Sequence, residues 1–467
     1  MANLYNIIAA GFSAAGSKPA FLLHDGRSVS YAALEAGASQ VAGHLVAQGV
    51  RPGERVGLQA EKSVEAVIFY LGVLKAGAVF LPLNPAYTSS EVDYFVSDAE
   101  PRVFVTDAQA FVADAQKALP LNQAAPRSDS DLAALIYTSG TTGRSKGAML
   151  SHGNLAANAA ALHEIWGFSS RDVLLHALPI FHVHGLFVAL HCAFLSTCTM
   201  VWLAKFDDAQ VLAGLQTSTV MMGVPTFYTR LLGNPQFSRD RVKHMRLFIS
   251  GSAPLLESTF AEFEARAGMQ ILERYGMSEA VIITSNPRLG ERIPGTVGYP
   301  LPGVELRIDG DETGVIQIRG PSVFSGYWRM PDKTAEDFTA DGFFITGDVG
   351  RQDADGRLSI TGRAKDLIIS GGYNVYPKEI ELVLDELGGV TESAVVGVPH
   401  PDFGEGVVAV VIGSGDEALM IDECRRQLAP YKSPKRIVFV DELPRNAMGK
   451  VQKNLLRERY AGLFAAR

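Results

Sequence analysis

The chain has 467 residues, with 42 Lys+Arg against 50 Asp+Glu, for a formal net charge of −8. A hydrophobic content of 47% with 20% charged residues excludes a largely disordered chain. The acidic balance argues against nucleic acid as the main partner. Three cysteines, Cys192, Cys198 and Cys424, include no CxxC pair. That excludes a disulfide framework and a zinc ribbon, and a cytoplasmic location is expected. At about 150 residues per domain the length predicts two to four domains.

Taken in chain order, the N-terminal MANLYNIIAAGF has no basic segment and too short an apolar run for a signal peptide. A strand is expected at Arg55–Leu58, a helix at Ser63–Lys75 and a strand at Val79–Leu83, ended by Asn84-Pro85. A further strand follows at Arg102–Thr106. This alternation predicts an α/β fold with parallel sheets covered by helices. A polar connector, Arg127 to Asp131, precedes a strand at Leu132–Tyr137.

Leu186 to Ala204 is uncharged and just long enough to span a bilayer. His191, Ser196, Thr197 and Thr199 interrupt it, so it reads as a buried helix, a turn and a strand ending near Leu203. No integral membrane association is expected. Gly314–Arg319 and Arg357–Thr361 read as later strands with an antiparallel character. From Pro430 to Tyr460 there are eight basic residues against three acidic ones. Such a segment is either a solvated face or a landing place for a polyanion such as a nucleotide or coenzyme A. The C-terminal GLFAAR carries no lipidation or retention signal.

The strongest local signal follows the strand at Leu132: Tyr137-Thr138-Ser139-Gly140-Thr141-Thr142-Gly143-Arg144-Ser145-Lys146-Gly147. Glycines let a backbone aim N–H groups at an anion, hydroxyls add donors, and Lys146 adds charge. The spacing differs from the GxxxxGK[ST] nucleotide loop, since Gly follows the lysine. A flexible Ser/Thr/Gly linker is the bland alternative.

This segment resembles the signature loop of the adenylate-forming enzymes, the superfamily of acyl-CoA synthetases, peptide-synthetase adenylation domains and luciferases. Five further motifs stand in that family's order. Ser250-Gly251-Ser252-Ala253-Pro254 resembles its adenine-side loop. Tyr275-Gly276-Met277-Ser278-Glu279 resembles the segment whose Glu holds magnesium and whose hydroxyl faces the phosphate. Thr346-Gly347-Asp348 resembles the ribose-binding motif. Gly362-Arg363-Ala364-Lys365-Asp366 resembles the interdomain hinge, and Pro444 to Lys450 the loop with the catalytic lysine.

The resemblance implies two domains: residues 1–362, with parallel and mixed sheets, helices and a β-barrel-like subdomain, and a small mobile α+β domain at 363–467. It implies ATP, Mg²⁺ and coenzyme A as co-substrates and cofactor, and a small carboxylic acid as substrate. Thr138 to Gly143, Lys146, Ser252, Ala253, Pro254, Glu273, Arg274, Tyr275, Gly276, Met277, Asp348 and Arg363 are then nucleotide contacts. Lys450, Glu279, Ser278 and His182 are the catalytic candidates, with Glu279 on the metal and Lys365 at the pivot. Gly371, Gly372 and Tyr373 would pass the pantetheine arm of coenzyme A.

Taken alone, Lys450 is a surface lysine and Glu279 a helix-start carboxylate. Acetylation of Lys450 would remove its charge and block adenylation, so an acetyltransferase and a deacetylase are conceivable partners.

Within the family the chain most resembles malonyl-CoA synthetases, through LPIFHVHGLFVAL, MGVPTFYTRLL, ERYGMSE and PRNAMGKVQK. The acid pocket would then involve Arg230, His182, Ser250, Gly251 and Met277. Arg230 would grip a second carboxylate bidentately. Arg288 and Arg292 are secondary anion contacts. His182 and His184 read as core histidines more readily than as a metal pair. Ala280-Val281-Ile282-Ile283 is more apolar than the resemblance implies for malonate and favours an alkyl group. The alternatives are a monocarboxylic or fatty acyl-CoA synthetase and an adenylation module acting in trans.

Overall fold

The structure is a computed structural model and describes residues 3–138, 145–445 and 450–464. Packing divides the chain into two units, Met1–Leu306 with Ile318–Phe344, and Arg307–Gln317 with Ile345–Arg467.

Two sheets organise the first unit. In the smaller, strands 103–105, 55–58, 79–82 and 132–138 lie side by side and parallel. The predicted strand at Arg55–Leu58 has those bounds, and the helix Val64–Lys75 is capped by Ser63, whose hydroxyl accepts the Ala66 N–H at 3.0 Å. That helix is buried on nearly every face, as an apolar helix between layers must be. The strand at Leu132 runs on to Thr138 and returns antiparallel as Lys146–Ser151, with Thr138 opposite Lys146. The expected phosphate loop therefore joins the two strands of a hairpin. Its residues Ser139, Gly140, Thr141, Thr142, Gly143 and Arg144 lie outside the described residues.

The larger sheet has nine strands, in the order 299–300, 284–285, 271–275, 247–250, 220–223, 173–176, 199–202, 19–23 and 28–30. Its central strands are parallel, and their carboxyl ends lie side by side at His176, Gly223, Ser250 and Tyr275. Open α/β sheets bind ligands at such ends. Leu186–Ala204 folds as read, with a π-helix at His184–Ala189, an α-helix at Leu190–Ser196, a left-handed turn at Thr197 and a strand at Thr199–Trp202. No helix among the described residues is long and apolar enough to cross a membrane.

The second unit contains a four-stranded sheet of 305–309, 314–319, 344–352 and 358–363, in that order, where a barrel-like subdomain was expected. It also contains the sheet of 373–375, 368–370, 404–413 and 390–400, with 436–440 parallel to 404–413. Side chains alternate across the long pair. Val395, Val407, Ala409 and Val411 pack with Ile380, Leu384, Met420 and Cys424 on one face. Ala394, Val396, Val398, Val408 and Val410 pack with Leu456 on the other.

The ladder from Asp348 to Arg363 pairs the strands 344–352 and 358–363, and the expected boundary at 362/363 falls at its last residues.

Candidate active site

The carboxyl ends of the strands at 247–250 and 271–275 build one face of the site in the first unit. Successive residues of a strand point to opposite sides. Glu273 takes one side, where burial pushes its carboxyl up to about 8 although the Leu255 and Gly295 N–H groups favour the charged form. Arg274 takes the other. It is 4% exposed, and its Nε and Nη2 have no hydrogen-bond partner among the described residues. Burial lowers its guanidinium to about 9, with the Tyr228 phenol opposing the shift. A buried guanidinium with unused donors costs several kcal/mol unless an anion joins it.

Gly251 explains how the guanidinium fits. A Cβ at 251 would stand 2.4 Å from Arg274 Cζ. Beside it the Ser250 hydroxyl is also buried and without a partner among the described residues. His184 completes the group: its Nδ1 lies 3.3 Å from the Ser252 hydroxyl, and its buried Nε2 has no partner among the described residues. Burial and the nearby Arg274 keep the imidazole neutral. Ser252 holds a left-handed backbone with φ +73, and Ser252, Ala253 and Pro254 are exposed.

A second cluster surrounds Glu279. Its carboxylate is buried and accepts from the Tyr327 hydroxyl at 3.3 Å. Lys146 stands over the Tyr327 ring at 4.3 Å and 3.7 Å from Asp337. Gly276, Met277 and Ser278 form the partly exposed turn before Glu279, and Tyr275 is buried at the strand end. Thr138 and Lys146 face each other at the base of the hairpin.

In the second unit the register sets Asp348 opposite Arg363, and Arg363 Nε meets Asp348 Oδ1 at 2.9 Å. Such a cross-strand pair holds the carboxylate in one orientation. Lys365 is exposed by surface area. Partial desolvation and the cations Arg363 and Lys450 nevertheless hold its ammonium down to about 8. Lys450 is exposed, beside the Arg445–Val451 bridge that closes its loop. Gly371 and Gly372 have φ of +60 and +82 and form the exposed turn before Tyr373, whose ring stacks on Tyr431 at 4.6 Å.

Arg230, expected at the acid pocket, lies on the outer side of its helix. Its helix, Pro225–Gly233, buries Tyr228, Leu231 and Leu232, so position 230 faces outward. There it is half exposed, pairs with Asp208 at 2.9 Å and lies over Phe206. Arg292 is also unavailable to an anion, because its donors go to the carbonyls of Pro287, Gln270 and Arg288. Five of the eight basic residues of the C-terminal segment have an acidic partner. Lys432 pairs with Glu379, Arg436 with Glu417, Arg445 with Glu392, Lys453 with Glu381 and Arg457 with Asp366.

His182, expected at the acid pocket, is partly exposed against Phe181, while His184 reaches the serine loop. The sequence reading took His184 for a core histidine and gave it no place at the site. The HxH spacing was its only signal. No group of three metal-ligating side chains occurs among the described residues.

Comparison with known proteins settles the family. The AMP-binding enzyme pattern matches residues 11–328, and the AMP-binding enzyme C-terminal domain matches 379–450. The chain belongs to the AMP-binding enzyme family. ATP-bound MatB from Rhodopseudomonas palustris has 49% identical sequence and a TM-score of 0.92, over 99% of this chain and 100% of that one. A malonate–CoA ligase of Arabidopsis thaliana is 35% identical over 88% of this chain and 78% of its own length. A feruloyl-CoA synthase of Amycolatopsis sp is 33% identical over 94% of this chain and 95% of its own. The six motifs therefore belong to an adenylate-forming AMP-binding enzyme of two sheet-based units. Nothing in these likenesses supports a modifying enzyme acting on Lys450.

Proposed function

We propose that the chain is an AMP-forming acid–CoA ligase whose acid is malonate or a 2-substituted malonate. The buried Arg274 beside Ser250 and Gly251, whose Nε and Nη2 have no partner among the described residues, carries this reading. A monocarboxylate would leave that guanidinium unpaired, whereas a second carboxylate would accept its donors in a charge-assisted pair. The Arabidopsis malonate–CoA ligase supports the same acid class.

In the first half-reaction a substrate carboxylate oxygen attacks the α-phosphorus of ATP, and pyrophosphate leaves. The protein positions the groups and stabilises charge rather than forming a covalent bond. Asp348 would accept both ribose hydroxyls, and Lys146 and the Thr138–Gly143 loop would hold the outer phosphates. Lys450 would balance charge at the α-phosphate. Glu279 supplies one hard oxygen and Ser278 a hydroxyl, a donor set that fits Mg²⁺ arriving with the phosphates. That ion would neutralise phosphate charge.

In the second half-reaction the thiol of coenzyme A displaces AMP from the acyl-adenylate. Gly371 and Gly372 would let the pantetheine arm pass close to the backbone. Lys365, just past the boundary between residues 1–362 and 363–467, would be the functional pivot.

The test is pyrophosphate release with C2 to C8 mono- and dicarboxylates, with and without coenzyme A. Malonate or a 2-alkylmalonate is expected to give the highest kcat/KM. Arg274→Met should lower that value about 100-fold while sparing short monocarboxylates. A monocarboxylate preferred by the wild type would overturn the dicarboxylate reading. The buried apolar run Ala280–Ile283 favours that second reading.

A further inference from the structure

A lysine remote from every motif holds the segment that carries His184. Lys62 follows the strand at 55–58, and its stem is partly exposed. Its Nζ is enclosed. It lies 2.9 Å from His176 Nδ1, 2.8 Å from the His176 carbonyl and 2.6 Å from the Leu203 carbonyl. The Trp202 ring lies 4.0 Å away. Burial pulls the Lys62 ammonium well below the usual lysine range. The charged form has three donors and no acceptor, so the three acceptors match its three hydrogens, and the indole face offsets part of the cost of burying the charge.

This arrangement fixes a tautomer. If Nδ1 of His176 accepts from Lys62, its proton sits on Nε2. That nitrogen faces the Gly185 carbonyl at 3.0 Å and donates to it. Gly185 is the second residue of the six-residue π-helix His184–Ala189. Its backbone rests on Pro179, where a Cβ would meet the Pro179 carbonyl at 2.0 Å. π-Turns within helices concentrate at functional sites. Here the turn sets the direction of His184, which meets Ser252 and stands near Arg274.

We propose that Lys62 is a positioning residue for acid activation: through the His176 tautomer it locks the Gly185 carbonyl and so the place of His184 in the acid pocket. Lys62 touches no reacting atom. Without it the His176 proton is free to move to Nδ1, and Nε2 would then face the Gly185 carbonyl lone pair to lone pair. The π-helix would shift, and the acid would be misplaced while the nucleotide groups around Glu279 stay put. This inference rests on the reading of Arg274, Ser250 and His184 as the acid pocket.

The experiment measures KM for acid and for ATP by pyrophosphate release. It uses whichever acid the wild type turns over best, so a wrong choice of malonate leaves it intact. Lys62→Met is expected to raise the acid KM about tenfold and to keep the ATP KM within about twofold. Adding His176→Gln should restore the acid KM to within about threefold, because the amide donates to Gly185 without a fixed tautomer. An unchanged acid KM in Lys62→Met, equal rises in both KM values, or no rescue by His176→Gln would each overturn the proposal. If Lys62→Met does not fold, His176→Gln and His176→Leu decide with Lys62 in place. The proposal expects about a tenfold higher acid KM for the leucine variant alone, and equal values overturn it.

Discussion

The Tyr327 hydroxyl donates to Oε1 of Glu279 at 3.3 Å, and the same ring lies 4.3 Å beneath the Lys146 ammonium. One aromatic side chain thus touches both the proposed metal carboxylate and the lysine of the phosphate hairpin. Burial, Glu279 and Asp337 push the Tyr327 phenol far up, so it stays a donor throughout the working pH range. Lys146 meanwhile has Asp337 at 3.7 Å as a resting partner.

Tyr327→Phe removes the donor and keeps the ring. Kinetic damage should appear on the nucleotide side, with kcat/KM for ATP falling about five- to tenfold, the worth of one hydrogen bond to a charged group. The acid KM should hardly change. Steady-state pyrophosphate release with ATP and acid varied separately distinguishes the two. A loss confined to the acid would show that Tyr327 does not orient Glu279 for the nucleotide.

Gly251→Ala tests the fit of the acid clamp. The new methyl would stand 2.4 Å from Arg274 Cζ, so the buried guanidinium must move. Dicarboxylate kcat/KM is expected to fall at least about tenfold, with a small loss of stability of about 1–3 kcal/mol from overpacking. Competition between malonate and propionate in one assay reads the change as a ratio. A constant ratio would mean that Arg274 does not recognise the second carboxylate.

Arg230→Ala is expected to be nearly silent. The side chain is half exposed and paired with Asp208, and exposed pairs contribute about 0–1 kcal/mol. Malonate kinetics within about twofold of wild type are expected. A large rise in the malonate KM would return Arg230 to the acid site and displace Arg274 from that role.

Most of the architecture was legible because apolar periodicity and helix caps are local. Ser63 before a largely apolar run marked the helix Val64–Lys75 within one residue, and Gly314–Arg319 came out with its observed bounds. The partition of arginines was not legible. Arg230 and Arg274 both lie in family-like motifs. Which one faces the pocket depends on the Tyr228, Leu231 and Leu232 face of one helix and on strand parity in the other element. Lys62 and His176 lie 114 residues apart, in no common motif, so only the folded sheet brings them together. The pairing of the C-terminal basic segment was not legible for a similar reason. Its partners Glu379, Glu381, Glu392 and Glu417 lie upstream, outside any window that counts the segment alone.

The last prediction concerns acid stability and His152. This residue begins the helix His152–Ile165, and its Nδ1 accepts the Leu4 N–H at 3.0 Å, tying the N-terminal helix down. Burial lowers the imidazole to about 4, with Arg127 adding to the effect and Asp131 and Asp129 opposing it. Between about pH 4 and 6.5 the unfolded chain therefore binds a proton that the folded chain refuses. Stability is full above pH 6.5 and falls as the pH drops towards 4, by on the order of 3 kcal/mol from this group. His152→Asn keeps an acceptor for Leu4 and removes the titration. Urea unfolding across pH 4 to 7 should then show a shallower acid slope, smaller by up to about one proton. An unchanged slope would mean that other buried groups, such as His191, which burial lowers to about 3, control the acid limb.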